Sequence, residues 1–331
     1  MDYPEKILTI SIATYNVQQY LDKLLASLVA PEVLDDLEVL VIDDGSADKT
    51  ADIALKYVKR YPESFRLIRK ENGGWGSTVN CGIRTSKGKY FKLIDGDDWF
   101  PTENMENFIL FLKKAKSDLI FTPFYEADDR TERITGIKGD ILKSVTGTVE
   151  AFARLPQGSP LAMHGMTVST KFLRKNRIHV TENCFYADLE FVIKTVNCCK
   201  SIEVFHEPTY VYRTARGGQS VSNEGFAKHY QDNLIILRKL LHYCETELIC
   251  KENEAIFVQR LNEAVQGQYC AFLCAKPSPL HKKELKEFDA WIRENYRSYY
   301  ESCKWIKIRI LRLTRFYGYG CMVRLHHWRQ M

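Results

Sequence analysis

The chain has 331 residues, 45% apolar and 27% charged, close to the globular averages of about 45–50% and about 25%. Disorder, collagen-like repeats and coiled coil are excluded as the main architecture. At roughly 100–200 residues per domain, one large α/β domain with a smaller appendage is expected. No apolar run approaches the roughly 18 residues of a membrane-spanning helix. The start, Met1–Ile10, is acidic, contains Pro4 and lacks the pattern of a signal peptide, so a cytoplasmic protein is expected.

The net charge of +5 is unevenly placed. After Ser302 the chain carries seven Lys and Arg residues and no acid, so residues 1–302 carry −2. A basic tail on a near-neutral body argues against a nucleic-acid footprint. Ten cysteines include no C-x-x-C pair, and they read as reduced, mostly buried thiols rather than a zinc site.

In chain order, the first half alternates strand-like and helical runs. Strands are expected at 6–13, 37–42, 65–69, 90–94 and 118–124. Helices are expected at 17–29, 49–61 (with Asp48 as cap), 77–84 and 102–115. This alternation predicts a mostly parallel sheet with helices on both faces. After Ala127 the pattern loosens, with one helix expected at 189–197. From Glu224 onward helices are expected at 226–250, 253–274 and 281–299, then a basic helix at 304–316. The organisation read from this is 1–222 as the α/β domain, divided at 125/126, then 223–302 as a helical region and 303–331 as a basic tail.

The sharpest feature is where the aspartates fall. Asp43-Asp44-Gly45-Ser46 follows the second strand and Asp95-Gly96-Asp97-Asp98 the fourth. Open α/β sheets bind ligands at the carboxyl ends of their strands. Two acidic clusters there are costly without a cation. Asp95 and Asp97, two apart, point the same way in extended chain. Hard oxygen ligands suit Mg²⁺ or Mn²⁺, which share carboxylates with substrate phosphates. Each cluster alone also reads as a turn or a helix cap; both together, each ending a strand, point to a metal–nucleotide site.

Five segments in order resemble one family: Ile12–Asn16, Val41–Ser46, Glu71–Gly74, Asn80–Ile83, and Lys87–Tyr90 leading into Leu93–Trp99. They are similar to the motifs of family 2 glycosyltransferases, which have the Rossmann-like GT-A fold. The match is clear over 6–125 and fainter to about 222. The resemblance implies inverting transfer of a sugar from a nucleotide-sugar, usually a UDP-sugar, to an acceptor hydroxyl. By position, Thr14, Tyr15, Asn16, Asp43, Asp44 and Gly45 belong to the donor site, with Thr14, Tyr15, Asp43 and Asp44 holding base and ribose. Asn72 and Asn80 would line the donor pocket, Asp95 would contact ribose or metal, and Asp97 would ligate the metal.

Inverting transfer needs a base for the acceptor proton. Asp188, after Phe185-Tyr186 and at a helix start, is the candidate, with Glu190 as backup; a helix cap is the competing reading. The family usually has Glu-Asp here, where this chain has Ala187-Asp188. Tyr210–Arg213 and Gly217–Ser222 resemble a downstream segment whose Arg213 and Arg216 would close over the diphosphate. His164 and His206 read as packing or surface residues.

The tail mixes Trp305, Ile306, Ile310, Leu313 and Phe316 with Lys and Arg. It suits peripheral contact with anionic lipid and hence a lipid-linked acceptor, or alternatively packing on the body or a homodimer contact. Ile308 and Leu311 interrupt its polar face. The leading expectation is a glycosyltransferase of cell-surface polysaccharide or glycolipid synthesis. A sugar nucleotidyltransferase would want a Gly- and Lys-containing loop at Thr14–Leu21, and a dinucleotide oxidoreductase a G-x-G-x-x-G; neither is present. A non-catalytic subunit of the same fold is opposed by intact Asp95, Asp97 and Asp188, and a processive membrane synthase by the missing spans and Gln-x-x-Arg-Trp.

Overall fold

The structure is a computed structural model describing residues 6–150, 152–157, 159–214, 218–220, 222–247 and 250–328. It forms two compact units: Met1–Arg216 with Cys250–Asn253, and Gly217–Ile249 with Glu254–Met331.

The first unit contains strands β1 (Lys6–Thr14), β2 (Leu37–Asp43), β3 (Phe65–Arg69), β4 (Gly88–Asp95), β5 (Leu119–Phe121), β6 (Phe124–Asp128), β7 (Ile134–Lys138), β8 (Thr148–Val149), β9 (Met166–Ser169), β10 (Ile202–Val204) and β11 (Val211–Thr214). Its helices are α1 (Leu21–Ser27), α2 (Thr50–Arg60), α3 (Gly74–Thr85), α4 (Met105–Lys114), α5 (Thr170–Lys175) and α6 (Ala187–Cys198). The main sheet has the order β3-β2-β1-β4-β9-β5-β10-β8. Only β9 and β8 run against the others, so the sheet is mostly parallel, as expected.

Burial explains the layers. All seven residues of β2 are buried, as in a strand covered on both faces. Alternate side chains serve opposite faces. Val39 and Val41 join the cluster containing Leu24 of α1, Ala54 of α2 and Phe108 of α4. Leu40 and Ile42 pack with Cys81 of α3.

One expected strand is really two. The run 118–124 splits because Pro123, with no N–H to give a ladder, follows Thr122, whose amide is taken by Gly165. β5 stays in the main sheet, while β6 turns into a second sheet of order β11-β6-β7.

The second unit is helical: α7 (Asn223–Lys228), α8 (Tyr230–Thr246), α9 (Glu254–Cys274), α10 (Pro279–Asn295), α11 (Arg297–Ser302), α12 (Ile306–Leu313) and α13 (Tyr319–Trp328). α9 packs against α7, α8, α10, α11 and α13. The helix expected at 226–250 breaks at His229, between α7 and α8, and that at 281–299 ends at Asn295. The start of α10 is fixed by Ser278, whose hydroxyl accepts from the His281 amide at 3.0 Å, and by Pro279 at the first helical position. Among the described residues no helix is long and apolar enough to cross a membrane.

Candidate donor-binding site

Parallel register decides which loops meet. Thr14 pairs with Asp43 and Ala13 with Asp95, so the segments after β1, β2 and β4 share one edge. The Asp44 amide donates to the Thr14 carbonyl at 2.9 Å and the Gly96 amide to the Ala13 carbonyl at 3.0 Å. The Thr14 hydroxyl donates to the Ile42 carbonyl at 3.0 Å. Asn16, left-handed at φ 52°, donates its amide to Ser46 Oγ at 2.9 Å and accepts from the Ala47 amide at 2.9 Å. Tyr15 between them stands 54% exposed. Asp48 accepts from the Thr50 and Gln18 amides.

The cluster after β2 is built on matched donors. Asp43 accepts from the Ser46 amide at 3.0 Å and from Arg69 Nε at 3.1 Å. Asp44 accepts from Lys70 Nζ at 2.6 Å and from the Gly73 and Gly74 amides at 3.0 and 2.8 Å. Asn72 donates to the Asp44 carbonyl at 3.0 Å. Gly45 has φ +81°, and a Cβ there would lie 3.2 Å from the Asn72 nitrogen, so only glycine lets the two loops close.

The cluster after β4 differs. Asp95 accepts from the Trp75 indole at 2.7 Å. Asp98 is buried and accepts from the Tyr210 phenol and, at 2.7 Å, from the Arg213 amide. Burial, then Asp97 and Asp95 beside it, push its carboxyl well above the usual range. Burial likewise raises the Tyr210 phenol, with Asp98 and Asp95 adding to it.

His164 packs against the rings of Phe124, Tyr210 and Tyr212. It also forms, with Asp95 and Asp98, a group whose ligand atoms lie within 4.8 Å of one another. Its Nδ1 is buried without a hydrogen-bond partner. Burial, helped by the Lys92 charge, lowers its pKa to about 3, so the ring is neutral. Lys92, fully buried and lowered by that burial to about 7, donates to the His164 carbonyl at 2.9 Å. The carboxylate oxygens of this group are donors that fit Mg²⁺ or Mn²⁺, whereas an imidazole suits Zn²⁺, Cu²⁺, Fe²⁺ or Ni²⁺ better.

Asp188 lies in the first turn of α6 and is exposed. The loop leading to it is clamped: the Asn183 amide donates to the Gly73 carbonyl at 2.6 Å. A Cβ on Gly76 would come within 2.0 Å of the Thr181 carbonyl oxygen. The Tyr212 phenol is raised by burial and by the carboxylates of Asp98, Asp95, Asp97 and Asp188. One half-buried ring thus lies within electrostatic reach of the metal-site acids and the candidate base.

Three of the expected residues are engaged by bonds within the fold. Asn80, expected to line the donor pocket, bonds Val180 N and O and Glu182 Oε1 at 2.9–3.0 Å, tethering the chain that leads to Asp188. Arg213, expected to close over a diphosphate, is held inside the fold. It is 2% exposed, donates to the Asp97 carbonyl at 2.8 Å, and pairs with Asp129 and Glu132 while stacking on Tyr20 and Trp99. It is a strut beneath the acidic loop. Glu190 is buried, bonded to the Thr181 amide at 2.7 Å and Lys194 at 2.6 Å, and so is withdrawn from proton transfer. Arg216 lies outside the described residues, while His206 is exposed as expected.

Sequence reasoning named Asp98 only as part of the acidic cluster and His164 only as a packing or surface residue, and it did not single out Trp75 or Lys92. Trp75 stands directly after the Gly73-Gly74 pair; the contacts of the others are made by folding.

The model of "Glycosyl transferase family 2" matches residues 9–176, just over half the chain. An uncharacterized glycosyltransferase of Mycoplasma pneumoniae, the MG025 homolog, is 30% identical over 65% of this chain and 70% of its own. The minor teichoic acid biosynthesis protein GgaB of Bacillus subtilis is 25% identical over 85% of this chain and 31% of its own. Among solved structures, S. aureus TarS 1–349 with UDP-GlcNAc superposes with a TM-score of 0.55 at 21% identity, covering 90% of this chain and 91% of that one. The mannosyltransferase PcManGT of Pyrobaculum calidifontis, with GDP-Man and Mn²⁺, gives 0.52 at 14% identity, covering 99% and 89%. These likenesses establish the GT-A fold, and with the family match they make the chain a glycosyltransferase of family 2.

Proposed function

We propose that the protein transfers a sugar, with inversion, from a nucleotide-diphosphate sugar to an acceptor hydroxyl in cell-surface polysaccharide or glycolipid synthesis. The donor is read as a UDP-sugar. The observation carrying this is that the β1 register brings the acidic turns after β2 and β4 to one edge of the sheet. The UDP-GlcNAc held by TarS, the GDP-Man and Mn²⁺ held by PcManGT, and the wall-polymer role in GgaB's name support it.

In this reading Thr14, Asn16, Asp43, Asp44, Gly45 and Asn72 shape the base and ribose pocket, and exposed Tyr15 offers a ring for the base. Arg216 is assigned to the diphosphate. Asp97 and Asp95 would hold Mn²⁺ or Mg²⁺, which when bound offsets charge on the departing diphosphate. Asp188 takes the acceptor proton as its oxygen attacks the anomeric carbon. Slow donor hydrolysis, with water as acceptor, tests the base. Asp188→Asn should lower it by about 10²–10⁴-fold while UDP with Mn²⁺ still raises the melting temperature. Hydrolysis at the parent rate would remove Asp188 from the mechanism.

The site is assigned to the inner face of a membrane. On α12 Ile308 and Leu311 are buried, while Ile306, Ile310 and Leu313 are 59%, 41% and 84% exposed, and Tyr317 in the turn after it is 82% exposed. The residues that interrupt the polar face are therefore the packed side, and a second apolar stripe faces outward. That stripe lies in a stretch with seven basic residues and no acid, complementary to an anionic bilayer. Phosphatidylglycerol vesicles should co-sediment the parent at low salt, and Leu313→Glu should abolish most of this. Equal sedimentation of both, or a parent that dimerises through this face and ignores vesicles, overturns the assignment.

A further inference from the structure

The helical unit gathers two thiols and an imidazole that nothing in the transfer reaction uses. Cys270 and Cys274 stand one turn apart on one face of α9, and α13 brings His326 against them. His326 Nε2 lies 3.6 Å from Cys274 Sγ and 4.0 Å from Cys270 Sγ. The three ligand atoms lie within 4.8 Å of one another. Asn223, the first residue of α7, places Oδ1 3.5 Å from Cys274 Sγ. Cys274 is 4% and His326 2% exposed. A core position contacting α9 would ordinarily be apolar, since burying an imidazole is costly unless both nitrogens are engaged.

We propose that Cys270, Cys274 and His326 form a zinc site, with Asn223 or a water as fourth ligand, clamping α13 to α9. Two thiolates neutralise the dication, and S₂N sets of this kind suit Zn²⁺. Zn–S of about 2.3 Å and Zn–N of about 2.0–2.1 Å, at tetrahedral or trigonal angles, set sulfur and nitrogen about 3.5–3.8 Å apart. The Cys274–His326 spacing already lies in that range, and the Cys270–His326 spacing needs to contract by only a few tenths of an ångström. Sequence spacing hid the site because His326 lies more than fifty residues from the thiols.

Lys307 Nζ is 2.9 Å from His326 Nδ1. An ammonium only donates, so in the metal-free protein Nδ1 accepts and Nε2 carries the proton. Zinc must release both thiol protons and move the imidazole proton off Nε2. The imidazole proton then resides on Nδ1, and half-buried Lys307 turns to solvent. Loading therefore strengthens with pH. Lys307→Gln, whose amide oxygen can accept from Nδ1–H, should tighten zinc by severalfold.

The test is Co²⁺ added to the reduced, chelator-treated full chain. Expected is one equivalent giving thiolate-to-cobalt charge-transfer absorption, displaced by Zn²⁺, retained in Asp97→Asn and lost in Cys270→Ser. Absence of that absorption in the parent, or its persistence in Cys270→Ser, overturns the proposal. If Cys270→Ser fails to fold, alkylation of the parent decides. Zn²⁺ should protect Cys270 and Cys274 together by at least tenfold in rate, and equal labelling with and without Zn²⁺ overturns the site.

Discussion

The two acidic turns on the sheet edge are similar in sequence and differ in the groups that bond their carboxylates. After β2, Asp43 and Asp44 meet Arg69, Lys70 and three backbone amides. After β4, Asp95 and Asp98 meet an indole, a phenol and a peptide N–H. The guanidinium of Arg213 bonds the Asp97 carbonyl but places its ion pairs on Asp129 and Glu132. The first turn carries its own countercharge and so serves as scaffold for the Gly73-Gly74 loop. The second brings Asp97 and Asp95 close enough to help raise the buried Asp98 carboxyl, and a bound cation would oppose that effect. A strand-end aspartate is thus read as a ligand or as a brace by its partners, and those are set by folding.

The largest test of this contrast lies in the second turn. Asp97→Asn should lower metal-dependent donor hydrolysis by about 10²–10³-fold, the cost of losing one preorganised charge-stabilising group. The melting temperature without nucleotide should stay unchanged. Loss of stability with retained hydrolysis would make Asp97 a brace and erase the distinction between the turns.

Next in size is the reverse experiment on the first turn. Asp44→Ala leaves Lys70 unpaired, with side-chain exposures of 4% for Asp44 and 25% for Lys70, and strips an acceptor from two amides. Breaking a buried pair costs about 3–5 kcal/mol, and the half-open Lys70 puts the expected loss near the lower end. Urea unfolding should show this as a lower midpoint at constant slope. An unchanged midpoint would mean Asp44 is available to the donor.

The contrast also marks what could be read from the residues alone. Strand and helix alternation from Lys6 to Lys114 was legible because β1 and β2 are largely apolar runs and α2 and α4 are amphipathic. The positions of Asp43, Asp44, Asp95, Asp97 and Asp188 were legible from strand ends and motif order. Their partners were not. Arg213 looked like a mobile cation because a lone arginine near glycines has no visible acid, yet Asp129 and Glu132 come to it through the β6–β7 hairpin. Pro123 signalled a break that the apolar run around it masked. In the helical unit, period alone joined α7 to α8 and α10 to α11, because the non-helical backbone at His229 and Tyr296 carries no glycine or proline to announce it.

The smallest effect is also the most direct probe of the crowded charge. Asp98 has a folded-state pKa raised above its unfolded value, chiefly by burial and then by Asp97 and Asp95. Below the unfolded value of about 3.9 both states hold the proton. As pH rises from there toward the folded value, the unfolded chain releases its proton and the folded chain keeps it, so stability is lost across that window. Asp98→Asn mimics the protonated acid: its amide can donate to the Tyr210 oxygen, and its carbonyl can accept from the Arg213 amide. The variant should therefore gain on the parent between pH 4 and pH 7, by no more than about 1.4 kcal/mol per pH unit for a single proton, as measured by urea unfolding at each pH without divalent ions. Mn²⁺ should shrink the gap by stabilising the parent's carboxylates. A difference that stays flat with pH would mean that the turn after β4 bears no excess charge, and with it would go the electrostatic reason for placing a cation there.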